Sequence, residues 1–302
     1  MDKLIIFTSG VPFVPTVLTE ATLEAVRCRD DVEVTSICVP DYPKLYDIMC
    51  RRALIVVSRK IKSFFDSSQK RKYATPWPIK LHGLGCQHDV EVIVPPQQNI
   101  NNPIFVEHLK TVVKPTMALS YYCLQRFSPG LLDAFEYAVN YHNGLLPKYK
   151  GLRATCWSVY HGEKQTGFTF HRMSKDFDEG AILLQGTVPV RSDDSILDLE
   201  FEKAIAAKKC IPRLIEMMVN RETGQAQTGE GSYFSKKNLL EVTRINKPSR
   251  HSSTELMKRL RAFGLLNMKI NGRWFMVTKL ETMSAPPQGR ERLCFRASNG
   301  SI

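Results

Sequence analysis

Between Leu4 and about Val219 short β-branched runs alternate with stretches of helical spacing, and this alternation restricts the fold more than any other feature of the chain. Leu4-Ile5-Ile6-Phe7-Thr8, Val32 to Val39, Val90 to Val94, Met117 to Tyr121 and Ala138 to Tyr141 read as strands, while Thr16 to Arg27 and Pro103 to Val113 place apolar residues at helical intervals. The pattern predicts an α/β domain with a mostly parallel sheet, whose ligands bind at the carboxyl ends of the strands. After the first strand stands Thr8-Ser9-Gly10-Val11-Pro12-Phe13 rather than G-x-G-x-x-G, so a nicotinamide-type dinucleotide site loses its main support.

A chain of 302 residues is long enough for one large domain and a smaller one, each with its own core. Ser195 to Asn220 continues as a helical segment; Gly224, Gly229 and Gly231 among polar residues then mark a linker. The expected division is an α/β domain over 1–222, a small basic, mainly β domain (OB-like) over 230–283, and a poorly ordered tail over 284–302 with Pro286-Pro287 and Gly289. Within the second domain Ser252 and Glu255 form a capping-box pattern that opens one short helix, Gly264 supplies its left-handed stop, and Asn271-Gly272 between strand-like runs predicts a hairpin.

The net charge of +12 is concentrated. Residues 231–302 hold 14 Lys+Arg against 4 Asp+Glu, and residues 51–72 hold 8 against 1, a distribution that suits a polyanion. The eight cysteines include no C-x-x-C pair, so neither a metal site nor a disulfide framework is expected. No run approaches the roughly 20 apolar residues of a membrane span, and Met1 leads straight into a strand without a cleavage site, which gives a cytoplasmic expectation. Ala53 to Val57, followed by Arg59, Lys60, Lys62 and Phe64-Phe65, reads as a buried strand or helix rather than a membrane-surface segment.

The stretch from Asn140 to Gly180 carries the chemistry. Asn140 and His142 stand two apart at the end of a predicted strand, which puts both side chains on one face at the sheet edge. Leu145-Leu146-Pro147-Lys148-Tyr149-Lys150-Gly151 follows as a loop; Gly167 to His171 forms a strand leading to a carboxylate-bearing turn, Asp176-Phe177-Asp178-Glu179-Gly180. Acyl transfer to an amine needs an oxyanion donor, a group that manages the amine's proton and a group that sets its pKa; a carboxamide, an imidazole and a carboxylate meet these needs. Singly, Asn140 reads as a turn residue, His142 as a hydrogen-bonded side chain and Asp178 as a cap.

Asn140-Tyr141-His142, the 145–151 loop, Trp157, Gly162, Thr166-Gly167-Phe168-Thr169 and Asp178-Glu179-Gly180 together resemble the formyltransferase family, which includes glycinamide ribonucleotide, methionyl-tRNA and amino-sugar formyltransferases. A looser likeness covers roughly 90–220, and the 252–277 segment resembles the second domain of the methionyl-tRNA and sugar branches. The resemblance implies a Rossmann-like catalytic domain, a 10-formyltetrahydrofolate donor and no metal. It assigns catalytic roles to Asn140, His142 and Asp178. It places the pterin largely on main-chain groups of two loops, here Leu124, Gln125, Arg126 and Phe127, and Lys175, Asp176 and Phe177.

The basic segments lean the acceptor toward methionyl-tRNA. A nucleotide-linked amino sugar is nearly as well favoured, since the Gly-Thr-Pro turn and Gly-Arg-rich loop of the tRNA branch are not matched at 10–12 and 41–86. Hydroxyornithine-type amines, and hydrolysis of the formyl-folate with water as acceptor, are further alternatives. An RNA-binding protein on an inactive transferase fold is disfavoured by the presence of all three polar residues.

Overall fold

The structure is a computed structural model, and the residues described are 1–9, 13–40 and 77–280. The strands β1 (Asp2–Thr8), β2 (Val32–Cys38), β3 (Glu91–Ile93), β4 (Met117–Tyr121), β5 (Tyr137–His142), β6 (Lys150–Gly151), β7 (Gln165–Arg172) and β8 (Ile182–Pro189) carry the first part of the chain. All but β6 join a seven-stranded sheet in the order β3-β2-β1-β4-β5-β7-β8. Pairing is parallel from β3 to β5 and antiparallel for β7 and β8. The mostly parallel α/β domain expected from the alternation is therefore present, with an antiparallel end.

Helices cover both faces of the sheet: α1 (Val14–Val26), α2 (Trp77–His88), α3 (Pro103–His108), α4 (Pro129–Leu132), α5 (Ala154–His161), α6 (Ile196–Lys208) and α7 (Ile211–Val219). Leu4 and Ile6 of β1 pack with Val17 and Leu18 of α1 and with Phe201 and Leu214 of α6 and α7. Ile5 and Phe7 turn the other way, onto Phe105, Phe127 and Leu131. A strand buried on both faces must be apolar at consecutive positions, which explains the unbroken Leu4–Phe7 run. The chain goes from β1 outward to β2 and β3, then returns on the other side at β4. This reversal opens a crevice beyond the strand ends, where ligands of such sheets bind.

Two predicted helices are interrupted. The segment at Pro103–Val113 is α-helical to His108, then widens into a π-type turn over Leu109–Val113 that ends at Lys114 with φ 51°. Ser195 to Asn220 divides into α6 and α7 because Pro212, without an N–H, begins a new helix in its first turn.

The remaining elements are β9 (Tyr233–Phe234), α8 (Lys236–Thr243), β10 (Arg244–Ile245), α9 (Ser253–Phe263), β11 (Leu266–Ile270) and β12 (Arg273–Val277). Among the described residues β10, β11 and β12 form a three-stranded sheet, and Ile245, Leu256, Leu266 and Met268 make its core. The predicted hairpin is present, with Asn271 at φ 48° and Gly272 at φ 82°. Two helices stand where one was expected. The presumed linker is not free: Gln225 and Ile182 exchange backbone hydrogen bonds of 2.7 and 2.8 Å, and β9 pairs with β6 of the first region. Trp157 of α5 stacks on Phe234 at 4.2 Å and meets Phe263 of α9 edge-on at 5.0 Å. The two regions thus share a packed seam, and the boundary expected at 230 falls before a strand that belongs with the first domain.

Residues 10–12, the basic segment 51–72 with its apolar stretch at 53–57, and the tail 284–302 lie outside the described residues. Among the described residues no helix is long and apolar enough to cross a membrane.

Candidate active site

β5 ends where the crevice opens. Asn140 and His142 emerge on one face of it, as their spacing predicts, while Tyr141 enters the core between Tyr122 and Phe168, each with ring centroids 5.9 Å away. The antiparallel register of β5 and β7 sets Asn140 opposite His171 and His142 opposite Thr169.

Asp178 reaches this face from the turn after β7 in a left-handed conformation, φ 55°. Its turn closes tightly: a Cβ on Gly180 would lie 1.8 Å from the Arg172 carbonyl oxygen, so only glycine fits. Gln227 of the presumed linker fastens the turn by donating to the carbonyls of Asp178 at 2.7 Å and Gly180 at 2.9 Å. On the other side, Gly151 at φ 85° turns its N–H onto Asp178 Oδ2 at 2.8 Å.

The three predicted catalytic side chains converge, and a fourth joins them. His142 Nδ1 lies 3.5 Å from Asp178 Oδ2, and His171 Nε2 lies 3.5 Å from Asp178 Oδ1; both imidazoles and the carboxylate are about 5% exposed. His142 Nε2 is 2.8 Å from the Tyr149 carbonyl, an acceptor only, so this nitrogen carries the hydrogen and Nδ1 is the proton-accepting edge. His171 Nδ1 likewise donates to the Arg172 carbonyl at 2.9 Å, which leaves its Nε2 to accept from Asn140 Nδ2 at 3.2 Å. Asn140 is thereby oriented, with a second N–H available to the cavity that it lines.

Burial pushes the His142 pKa down, against the opposing pull of Asp178, so the resting imidazole is neutral near pH 7. Burial pushes Asp178 the other way, but the attraction of the two imidazoles when they are charged, together with the Gly151 N–H, outweighs it and holds the carboxyl at about 2. The result is a neutral base beside a fixed negative charge, an arrangement able to take a proton from a nucleophile and stabilise the imidazolium that forms.

The cavity in front of these residues has a volume of about 570 Å3. All the residues expected to hold a pterin line it: Leu124, Gln125, Arg126 and Phe127 on one loop and Lys175, Asp176 and Phe177 on the other. Their side chains do different things. Phe127 packs into the core against Phe7 at 4.7 Å; Gln125 accepts from Ile100 N and donates to the Gln98 carbonyl, bracing its loop. Arg126 donates to the Lys175 carbonyl and ties the two loops together, while Leu124 and Phe177 stay exposed. Among the described residues no group of three or more His, Cys, Asp or Glu is placed to hold a metal ion.

His171 and Gln227 were not legible as site residues. The signal for His171 was its place two residues after Thr169 on a strand facing Asn140, but the register that brings the two together follows from the pairing. Gln227 sits in a segment with no periodicity at all.

The family model for formyl transferase matches residues 99–215. Over 102 residues the chain is 40% identical to the GDP-perosamine N-formyltransferase of Brucella melitensis, a match covering 33% of this chain and 38% of that protein, so the chain spans well under half the length of this curated relative. In fold it is similar to a sugar N-formyltransferase from Shewanella, with TM-score 0.64 and 18% identity over 94% of this chain and 100% of that one. It is also similar to an N-formyltransferase from Helicobacter canadensis in complex with folinic acid and dTDP-3-aminofucose, with TM-score 0.55, 18% identity, and coverage of 90% and 85%. The matched segment, residues 99–215, holds Asn140, His142 and Asp178, and over it the chain is similar to the formyltransferase family.

Proposed function

We propose that this chain is an N-formyltransferase that moves a formyl group from 10-formyltetrahydrofolate to the primary amine of a nucleotide-linked amino sugar. The observation that carries the reading is the convergence of Asn140, His142 and Asp178 at the strand ends, beside an open cavity. The cavity suits the donor: exposed Leu124 and Phe177 offer apolar faces to a flat ring, and the loop backbones offer hydrogen bonds for its polar edge. Bound there, the donor supplies the activated formyl carbon.

The Asn140 side-chain N–H donates to the oxygen on which negative charge develops as the neutral amine adds to that carbon. His142 Nδ1 takes the amine's proton, and Asp178, 3.5 Å away, stabilises the resulting imidazolium. His171 acts through Asn140, holding the carboxamide in the orientation that presents its N–H. His142 then returns the proton as the bond from the formyl carbon to the folate nitrogen breaks.

The basic segments leaned the acceptor toward tRNA; the named relatives favour the sugar instead. Four of the 14 cationic side chains in the second region also make contacts within the molecule. Arg259 pairs with Glu255 at 2.7 Å, Arg244 lies over Trp274, Lys258 over Tyr160, and Arg261 donates to the Arg191 carbonyl. A formyl-transfer assay with 10-formyltetrahydrofolate, a panel of nucleotide-linked amino sugars and methionyl-tRNA tests the assignment. Turnover of an amino sugar is expected; turnover of methionyl-tRNA alone would overturn the choice of acceptor, and no transfer to any amine would overturn the reaction.

A further inference from the structure

The cavity wall also carries a carboxylate that the transfer chemistry does not use. Glu200 of α6, with its side chain 13% exposed, lines the cavity together with Tyr122, Asn143 and Thr155, and Asn143 directly follows His142 in the chain. Oε1 of Glu200 is crowded: it accepts from Asn143 Nδ2 at 3.2 Å, from Lys203 Nζ at 3.2 Å and from the Thr155 hydroxyl. Oε2 accepts from the Tyr122 hydroxyl. Lys203, fully buried behind the wall, donates as well to the Asn143 carbonyl at 2.9 Å and contacts the Thr155 hydroxyl.

A carboxylate has about two acceptor positions on each oxygen. Three donors fill Oε1, whereas among the described residues one donor, the Tyr122 hydroxyl, reaches Oε2, which leaves that oxygen of a cavity-lining residue with a position to spare. Lys203 already balances the charge, so the group that completes Oε2 is a neutral donor rather than a cation. The clamp also fixes the carboxylate in place, because four side chains hold it at once: Tyr122 just after β4, Asn143 just after β5, Thr155 of α5 and Lys203 of α6. Such a preset acceptor discriminates between ligands, since one that lacks the matching donor leaves a desolvated polar group unpaired.

We infer that Glu200 is a specificity-determining residue for the acceptor, accepting a hydrogen bond from a hydroxyl carried near the amine, so that the substrate is a polyhydroxylated amine. The inference rests on the formyl-transfer reading and narrows its acceptor. A methionyl ester presents a thioether chain on the carbon that bears its amine and carries no hydroxyl on a neighbouring carbon, whereas an amino sugar does.

The test compares two nucleotide-linked amino sugars, one with a hydroxyl next to the amine and one deoxygenated at that carbon, with the wild-type protein, Glu200→Gln and Tyr122→Phe. Steady-state kinetics are read for both substrates, with melting curves to follow folding. Wild type is expected to use the hydroxylated acceptor with a KM roughly 10- to 100-fold lower. Glu200→Gln should raise that KM by a similar factor, leave the donor KM unchanged and abolish the preference between the two sugars. Tyr122→Phe, which keeps the carboxylate, should retain the preference. If Glu200→Gln does not fold, the wild-type comparison of the two sugars still decides. Formyl transfer at equal efficiency to both sugars would overturn the inference alone, as would a folded Glu200→Gln protein that keeps the preference. A wild-type protein that formylates no amine would remove the reaction, and the inference with it.

Discussion

His142 titrates at one nitrogen only, since its Nε2–H is already committed to the Tyr149 carbonyl. Burial lowers its pKa below the ordinary 6.5, so kcat/KM should show an acid limb below that value. Asp178 opposes the effect of burial; Asp178→Asn should therefore move the limb to still lower pH while reducing kcat, as read from pH–rate profiles and imidazole NMR titration. Asn140→Ala removes a donor to the developing oxyanion and should lower kcat by about 100- to 1,000-fold, with the donor KM little changed. At this scale the sequence was informative where residues sit close together in the chain: the N-x-H pair projects from one strand face by simple alternation. It was silent on His171 and on the Glu200–Lys203 pair, whose meaning depends on strand register and on which side of a helix meets the cavity.

The turn after β7 and the loop before α5 do for the elements what hydrogen bonds do for the side chains. Gly180 admits no side chain against Arg172, and Gly180→Ala should lower the melting temperature sharply, as followed by circular dichroism. Gln227 bridges the carbonyls of Asp178 and Gly180, so Gln227→Ala should loosen the turn and reduce kcat about tenfold while the protein stays folded. Strands were readable from their β-branched runs and the hairpin from Asn271-Gly272, because these signals are local. The helix breaks at Leu109 and Pro212 were less visible inside longer apolar patterns. The 222–232 segment, rich in glycine and polar residues, looked like a tether; its order comes from pairing with Ile182 and β6, partners distant in sequence.

For the molecule as a whole, the buried pair couples stability to pH. Asp178 is lowered to about 2, so the stability it contributes is present above the unfolded value of 3.8 and is lost as pH falls toward 2. His142 is also lowered, so protonation of the unfolded chain below pH 6.5 draws the equilibrium the same way. Denaturant midpoints should fall between pH 7 and pH 4, and the fall should be smaller in His142→Gln. Phe263→Ala opens the seam against Trp157 and should cost about 3 to 5 kcal/mol in chemical denaturation. Composition made the existence of a second, basic region legible, but not its attachment, which depends on aromatic rings from three separate parts of the chain.

That attachment has a consequence in time. β6, whose Gly151 steadies Asp178 and which follows directly on Tyr149, finds its ladder partner in residues 233 and 234, synthesised more than eighty positions later. Because a growing polypeptide folds from its beginning, the large sheet can assemble on the ribosome while its reaction centre is still unset. The loop that holds Asp178 therefore gains its full ladder support only after residues 233 and 234 have been made.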